Sequence, residues 1–252
     1  MTNKTSGLGD NFYLNGYDLS GDVASLEQIG GGPAAGDVTG IKSSAHERLG
    51  LLRDGRMQFT SFFRGNGDWS PSLVGSAALS TLPTTDVVAC YLRGTALGNA
   101  AAAINGKQVN YDPTRDNAGN LTLKVDIQAN GYGLEMNGEQ LTAGLRTDTT
   151  ATTGAAWDDG AGSNFGGQAY FQLVAFSGTS VTIDIQSATT SGGTYASTGL
   201  TSSAFTAIGA QRVAVVNTTT INEFLKVKTT GTFTNAVFAV VFVRNPIAGV
   251  VF

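Results

Sequence analysis

Apolar and polar residues alternate with a period of two in several segments of the chain. In residues 120–129, Leu121, Leu123, Val125 and Ile127 are separated by polar residues. This period places the apolar side chains on one face of an extended chain and therefore predicts a half-buried β-strand. The same alternation predicts strands at residues 56–63, 179–186 and 225–229. The continuous apolar run 236–243 predicts a strand that is buried on both faces.

Helix signals are confined to two short segments. In residues 70–82, Ser70 precedes Pro71, as in an N-cap followed by a proline in the first turn, and apolar residues then recur every three or four positions. Ser44 and Glu47 have the spacing of a capping box and predict a second, shorter helical turn. We expect both segments to be connections that pack against a sheet.

The composition of the chain changes after Arg146. Residues 147–166 are rich in Thr, Gly and Asp and show no apolar period, which favours a linker between two β domains. Short strands spaced as in a β-sandwich are predicted after it, at residues 168–176, 181–186, 205–207, 212–216, 224–229 and 236–243. The sequence thus predicts an all-β protein. Its first domain is residues 1–146 and its second is residues 167–252, an immunoglobulin-like or jelly-roll-like β-sandwich.

Charge is scarce and slightly acidic. The 252 residues contain 15 Lys and Arg against 19 Asp and Glu, and residues 1–150 hold 11 of the former and 15 of the latter. Residues 1–150 therefore carry the whole acidic excess. No basic cluster is present that could neutralise several phosphates, which argues against tight binding of nucleic acid. No apolar run approaches the roughly 20 residues of a membrane-spanning helix, and the N-terminus does not resemble a secretory signal, so we expect a soluble, cytoplasmically made protein without a membrane partner.

Residues that commonly carry catalysis or bind metals are few. His46 is the single histidine, next to Glu47 in the second predicted turn, and Cys90 is the single cysteine, in an apolar segment where thiols usually act as small hydrophobic groups. An oxygen-rich loop lacks the closing Glu of an EF-hand and is more typical of a hairpin turn; its residues are Asp112, Asp116, Asn117 and Asn120. We expect no enzyme activity, no cofactor and no bound metal.

A more specific signal lies in the first domain. Residues 36–41 read Gly-Asp-Val-Thr-Gly-Ile, residues 50–55 read Gly-Leu-Leu-Arg-Asp-Gly, and a strand that begins Met-Gln-Phe-Thr follows at residue 57. These motifs resemble the tail tube (major tail) proteins of long-tailed bacteriophages, in which a D-V-T strand leads to a loop with a basic residue and a G-L-x-D-G turn. The resemblance covers about residues 10–145. It continues, in the order of the family's helix and strands, through residues 70–82, 86–93, 102–111 and 120–131.

The resemblance implies a structural protein of the virion tail, assembled in the cytoplasm of the bacterial host. It implies a tail-tube-like β-sandwich or barrel with one short helix, whose copies form stacked hexameric rings around a channel for DNA. It also implies tape-measure, tail terminator and tail tip proteins as partners. In the family, the segment equivalent to residues 30–55 reaches the adjacent ring. Because basic residues concentrate between His46 and Arg56, we predict Arg48, Arg53 and Asp54 as inter-subunit contacts.

Other functions remain open at this stage. One alternative within virus structure is a phage head decoration protein or a minor tail protein. The second domain looks like the modules that some phages display outside the tube, and it would alternatively be a carbohydrate-binding module on the virion surface. In that case Trp157, Tyr170 and Tyr195 would stack on host-surface glycans. Because the resemblance assigns assembly to the first domain, we expect a chain that ends near Thr153 to assemble by itself.

Overall fold

The computed structural model describes residues 6–63 and 85–245, and within these ranges the secondary structure consists of β-strands. The prediction of an all-β fold is confirmed, whereas the predicted helix at residues 70–82 lies outside the described residues. Nothing in the described ranges is a helix of the length and apolarity needed to cross a bilayer. The strands are β1 (Asn11–Leu14), β2 (Tyr17–Asp18), β3 (Val23–Asp37), β4 (Arg48–Phe62), β5 (Val87–Leu92), β6 (Ala100–Gln108), β7 (Asp112–Arg115), β8 (Leu121–Gln140), β9 (Arg146–Asp148), β10 (Trp157–Asp158), β11 (Gly167–Ala188), β12 (Ala196–Thr201), β13 (Gly209–Ala214) and β14 (Phe224–Arg244).

These strands form one continuous sheet that folds over on itself, and every strand pair among the described residues is antiparallel. Its main path runs in the order β12-β11-β14-β8-β6-β5-β1-β2. The hairpin of β3 and β4 joins β8 through β4, and β7 also pairs with β8. Three strands are each 20 residues or longer, namely β8, β11 and β14. Strands β11 and β14 each contain two segments that the sequence predicts as separate strands.

Three hydrophobic cores lie one after another through this folded sheet. The N-terminal core consists of Phe12, Leu14, Leu19, Met57, Phe59, Val87, Ala89, Ala102, Ile104, Leu123, Val125, Ile127 and Leu134. The central core consists of Tyr13, Val88, Cys90, Leu92, Ala101, Ala103, Tyr170, Ala239, Val241 and Val243. The C-terminal core consists of Leu141, Ala169, Phe171, Leu173, Val181, Ile183, Ile185, Leu200, Phe205, Ile221, Leu225, Val227, Phe233, Ala236, Phe238, Val240 and Phe242.

Strand alternation explains why the cores are stacked. In β5, Val87 faces the N-terminal core and its neighbour Val88 faces the central core. In β14, Val240 faces the C-terminal core and Val241 faces the central core. Both strands are thus buried on two sides, as the apolar run at residues 236–243 predicts. The central core consequently joins the two halves of the chain by direct packing.

A sharp bend in the ribbon of β11 and β14 encloses the C-terminal core. The two strands pair along nearly their whole lengths, and the register shifts around Gly178. Gly231 lies opposite this bend with a φ of 121°, and a Cβ atom on it would lie 2.3 Å from the carbonyl oxygen of Ser180. A side chain at residue 231 would therefore meet both backbone strain and a steric clash. The bend folds the ribbon so that its two halves cover opposite sides of the C-terminal core.

Residues of the predicted linker run along β14. Strand β9 pairs with β14 from Ala236 to Phe238, and β10 pairs with it at Phe224 and Leu225. Arg146 and Asp148 form a buried ion pair at the start of this segment, with an N–O distance of 2.7 Å. The division of the chain into domains at residues 147–166 stays a prediction.

The helical turn predicted at Ser44 and Glu47 is wrong. Residues 38–47 form the loop that connects β3 to β4. The hydroxyl of Thr39, rather than that of Ser44, accepts a hydrogen bond from the amide of Glu47, at 2.9 Å. The Glu47 carboxylate accepts a hydrogen bond from the hydroxyl of Ser43. The same residue types that cap a helix thus stabilise a hairpin loop, because short polar side chains can bond to nearby backbone in either setting.

Candidate assembly surface

A β-hairpin formed by the ends of β3 and β4 extends beyond the N-terminal core. The two strands pair from Gly30 opposite Arg56 to Asp37 opposite Arg48. Strand β8 pairs with β4 at Arg56–Phe62 and no further. Within the described residues, the part of β4 that precedes Arg56 therefore has β3 as its one partner strand. We call residues 30–55 the arm.

The arm exposes several large apolar side chains. Leu52 is 88% exposed and Leu51 is 52% exposed, and Val38, Ile41 and Leu49 are exposed as well. The register of β3 and β4 shifts between Pro33 and Ala35, so β4 has an extra residue there and Leu49 lies opposite Gly36, on the other face from Met57 and Phe59. An isolated two-stranded hairpin is at best marginally stable in water, and clustered exposed apolar residues mark interaction sites. The arm therefore has the properties of a surface that another protein molecule covers.

The backbone of the arm offers a second means of association. Among the described residues, β3 pairs with β4 alone, so its other edge is open over Val23–Asp37. An open edge presents unpaired N–H and C=O groups to which a strand of another chain can add. Three consecutive residues of this edge, Gly30, Gly31 and Gly32, have no side chain. A second backbone can therefore approach the edge closely at this point.

The three residues predicted as inter-subunit contacts lie on the arm but differ in their surroundings. Arg48 is exposed at the outer end of β4, opposite Asp37. Asp54 accepts a hydrogen bond from the amide of Gly55 at 2.7 Å. Arg53 points back to its own subunit, with a guanidinium nitrogen 3.6 Å from a carboxylate oxygen of Glu135. Their roles in contacts between subunits stay predictions, and Arg53 has in addition an ion pair within the subunit.

Glu135 is an unusual partner for Arg53 because it is buried, with 6% of its surface exposed. Burial raises the pKa of Glu135, and this effect outweighs the nearby Arg53, Gln168 and Arg212, which lower it. The folded protein therefore holds this carboxylate in an unfavourable environment at the base of the arm. Sequence alone gives no sign of this, since Glu135 is simply one charged residue in a long strand.

Substitution of Glu135 by glutamine is expected to make stability less sensitive to pH. Because the pKa is higher in the folded than in the unfolded protein, folding is favoured by protonation, and stability decreases as pH rises through the interval between the two pKa values. Relative to the wild type, Glu135→Gln should gain stability as pH rises from about 4 to about 8, a range that brackets ordinary and raised carboxyl pKa values. Thermal unfolding across this range measures it. Glu47→Gln, on the exposed loop, is the matched control, and a Glu135→Gln effect equal at every pH would contradict the prediction.

The aromatic residues predicted to bind glycans do not form one surface. Tyr170 is fully buried in the central core, so burial excludes it as a stacking platform. Trp157 lies opposite Leu225, packs against the C-terminal core and donates a hydrogen bond from Nε1 to Glu139 at 2.7 Å. Tyr195 lies under the next residue of β14, Lys226, whose Nζ is 4.0 Å from the ring centroid. Because Leu225 and Lys226 point to opposite faces of the sheet, Trp157 and Tyr195 are on opposite faces as well.

Groups that sequence analysis weighed for reactivity are occupied by structural contacts. Cys90 is buried in the central core, and burial raises the pKa of its thiol to about 12, which makes it a poor nucleophile. In the hairpin loop after β7, the Asp116 carboxylate accepts hydrogen bonds from the backbone amide and the side chain of Asn120, at 2.8 and 2.7 Å. Over the ranges that the structure describes, no three or more His, Cys, Asp or Glu side chains are grouped so as to hold a metal ion.

The sequence motifs predict contacts through the charged residues of the arm, whereas the structure exposes its leucines as well. Leu49, Leu51 and Leu52 lie in the motif that the resemblance rests on, yet their exposure depends on where the core ends. The bulge in β4 between Gly50 and Arg53 interrupts the two-residue period, so the alternation at Met57 and Phe59 does not continue to Leu49.

Comparison with known proteins gives limited information. No protein-family model and no curated protein matches the chain. One solved structure that resembles it is the SPP1 Dit protein (gp 19.1), described as a paradigm of the hub adsorption apparatus in phages that infect Gram-positive bacteria. The alignment covers 92% of this chain and 98% of Dit, at 12% sequence identity and a TM-score of 0.34. At this TM-score, the likeness establishes neither a common fold nor a common function.

Proposed function

We propose that this protein is a structural component of a bacteriophage tail and that its copies assemble into stacked hexameric rings, which form the tail tube. The observation that carries the proposal is the arm, an extended hairpin with exposed leucines and an open strand edge. The resemblance of residues 10–145 to tail tube proteins supports it independently, because the arm coincides with the segment that reaches the adjacent ring in that family. Tape-measure, terminator and tip proteins are partners in the same proposal.

The arm extends from its own core and is therefore suited to reach a neighbouring copy. In the proposed assembly the arm covers a different region of the next copy, a head-to-tail contact that generates rings or stacks. Burial of a leucine contributes about 1.5–3 kcal/mol. Three leucines would thus contribute on the order of 5–9 kcal/mol, comparable to the roughly 4–15 kcal/mol that association costs in lost translational and rotational freedom. Repetition of the contact around a ring, together with pairing at the open edge of β3, makes the assembly stable.

Replacement of Leu49 and Leu51 by serine is expected to prevent assembly without unfolding the subunit. Both side chains are already exposed in the isolated subunit, so their replacement removes contacts that exist in the assembly alone. We expect a loss of rings and tubes in electron micrographs, a shift to monomers in sedimentation, and an unchanged melting temperature. Because each 1.4 kcal/mol corresponds to a factor of ten, the concentration required for assembly should rise by about a hundredfold or more.

The matched control replaces exposed apolar residues far from the arm, Ile208 and Val216, by serine. This control should assemble as the wild type does. Assembly of the arm variant at the wild-type concentration would contradict the role of the leucines. Wild-type protein that forms monomers or trimers at every concentration, and never rings or tubes, would instead favour a head decoration protein or a minor tail protein.

A further inference from the structure

The folded sheet ends in two polar faces on opposite sides of the molecule. The first, which we call the arm-side face, is the outer surface over the N-terminal core; it is formed by Arg56, Gln58, Thr60, Asp112, Thr114, Thr122, Lys124, Asp126 and Gln128. The second, the far face, is the outer surface over the C-terminal core; it is formed by Thr182, Asp184, Gln186, Ser197, Thr201, Lys226 and Lys228. In a tube, at most one of them can face the channel.

Cations on the arm-side face are neutralised within the subunit. Lys124 forms an ion pair with Glu27 at 2.7 Å, and Asp112 lies near enough to favour the charged form of this lysine. Arg56 lies 3.2 Å from a carboxylate oxygen of Asp126. Lys107, opposite Gln128, lies 2.8 Å from a carboxylate oxygen of Asp86. Each of these three positive charges thus has a carboxylate that competes with any incoming phosphate. Within residues 6–63 and 85–245, a polyanion that moves along this face meets cations that are already paired with carboxylates.

The far face has a different pattern of charge. Its carboxylate, Asp184, accepts hydrogen bonds from the hydroxyls of Ser197 and Thr201, each at 2.6 Å. Lys226 contacts the ring of Tyr195, and Lys228 lies directly opposite Asp184 in the neighbouring strand. Among the described residues, neither lysine has a carboxylate oxygen within 4.0 Å. Two lysines without an ion pair would bind phosphates, which retards a passing polyanion.

We propose that the arm-side face lines the channel of the assembled tube and that the far face is its outer surface. This assignment rests on the proposed function. The edge of the sheet supports it, because the open edge of β3 belongs to the same layer as the arm-side face. A strand of a neighbouring copy that added there would continue this layer from one subunit to the next and give the channel an uninterrupted polar wall.

Site-directed labelling of assembled protein tests the assignment. Thr122 and Thr182 are matched positions because both are half-buried threonines. Thr122 lies on the arm-side face and Thr182 on the far face. Cys90 is buried, so the wild-type chain supplies an unreactive background. Thr122→Cys and Thr182→Cys would each be assembled into tubes and treated with N-ethylmaleimide or with a maleimide coupled to a globular protein that is too large to enter the channel.

In tubes, Cys at residue 122 should react with N-ethylmaleimide and lose its reaction with the large reagent, while Cys at residue 182 should react with both. In unassembled protein, both positions should react with both reagents. Reaction of residue 122 with the large reagent in tubes would overturn the assignment. So would protection of residue 122 from both reagents, which places it in a subunit contact, or selective protection of residue 182. If the wild type and both variants fail to form tubes, this result contradicts the proposed function itself, and the assignment with it.

Discussion

A chain that ends at Thr153 is expected to lose its cooperative fold and to aggregate. The central core would then be open, because its other side consists of residues from β11 and β14. Tyr13, Val88 and Leu92 are almost fully buried there, and exposure of each large side chain costs about 1.5–3 kcal/mol. The sum, on the order of 5–9 kcal/mol, approaches the whole stability of a typical domain, about 5–15 kcal/mol. Circular dichroism, thermal unfolding and size-exclusion chromatography measure the outcome.

A substitution in the complete chain tests the same interface without removal of a segment. Val241→Asp places an unpaired carboxylate in the central core and should also be strongly destabilising. Val216→Asp, at a position that is 69% exposed, is the matched control and should melt as the wild type does. A soluble chain ending at Thr153 with a sharp unfolding transition would show that the first half folds alone. It would thereby restore the sequence-based expectation of self-sufficient assembly.

Substitution of Asp148 by alanine is expected to destabilise the protein by about 3–5 kcal/mol, the usual cost of removing one partner from a buried ion pair. Both carboxylate oxygens of Asp148 accept hydrogen bonds from Arg146, at 2.8 and 2.7 Å, and one of them also accepts a bond from the hydroxyl of Thr229. The Arg146 side chain is only 16% exposed, and the alanine variant would leave its guanidinium without a counter-charge. Chemical denaturation measures the loss.

Two further variants separate the ion pair from a general effect of substitution in this segment. Asp158→Ala removes an exposed carboxylate that bonds to the nearby amide of Gly160, and should cost far less. Arg146→Met combined with Asp148→Leu replaces both charges by apolar groups and should recover much of the stability, because no buried charge remains unpaired. Equal losses for Asp148→Ala and Asp158→Ala would contradict the structural role of the pair.

Local patterns predicted most of the strands correctly because a two-residue period depends on one strand and one core surface. Leu123, Val125 and Ile127 show this in β8, where all three are buried in the N-terminal core. The patterns could not show that residues 168–176 and 179–186 form a single strand. The bulges and the glycines at the bend interrupt the period, and an interruption in sequence looks like the end of a strand.

The sequence predicted where the candidate site lies but did not predict the contacts that its residues make. The motifs around Asp37 and Gly55 located the arm, because a hairpin is local in sequence. They did not indicate that Arg53 would reach Glu135, since that contact joins residues 82 positions apart. The prediction of Tyr170 as a surface residue was wrong. The sequence pattern around a tyrosine in an alternating strand is the same whether its face of the strand is covered by solvent or by a second sheet.

The sequence by itself determined the all-β class, the location of the arm and the shortage of charge, all of which depend on nearby residues or on composition. The tertiary structure alone decided which strand faces are covered. It stacked β5 and β14 across the central core, exposed the leucines of the arm and left two polar faces at opposite ends of the molecule. Burial depends on residues that are far apart in the chain. A pattern of period two shows that a strand has an apolar face, while the packing of distant strands decides what covers it.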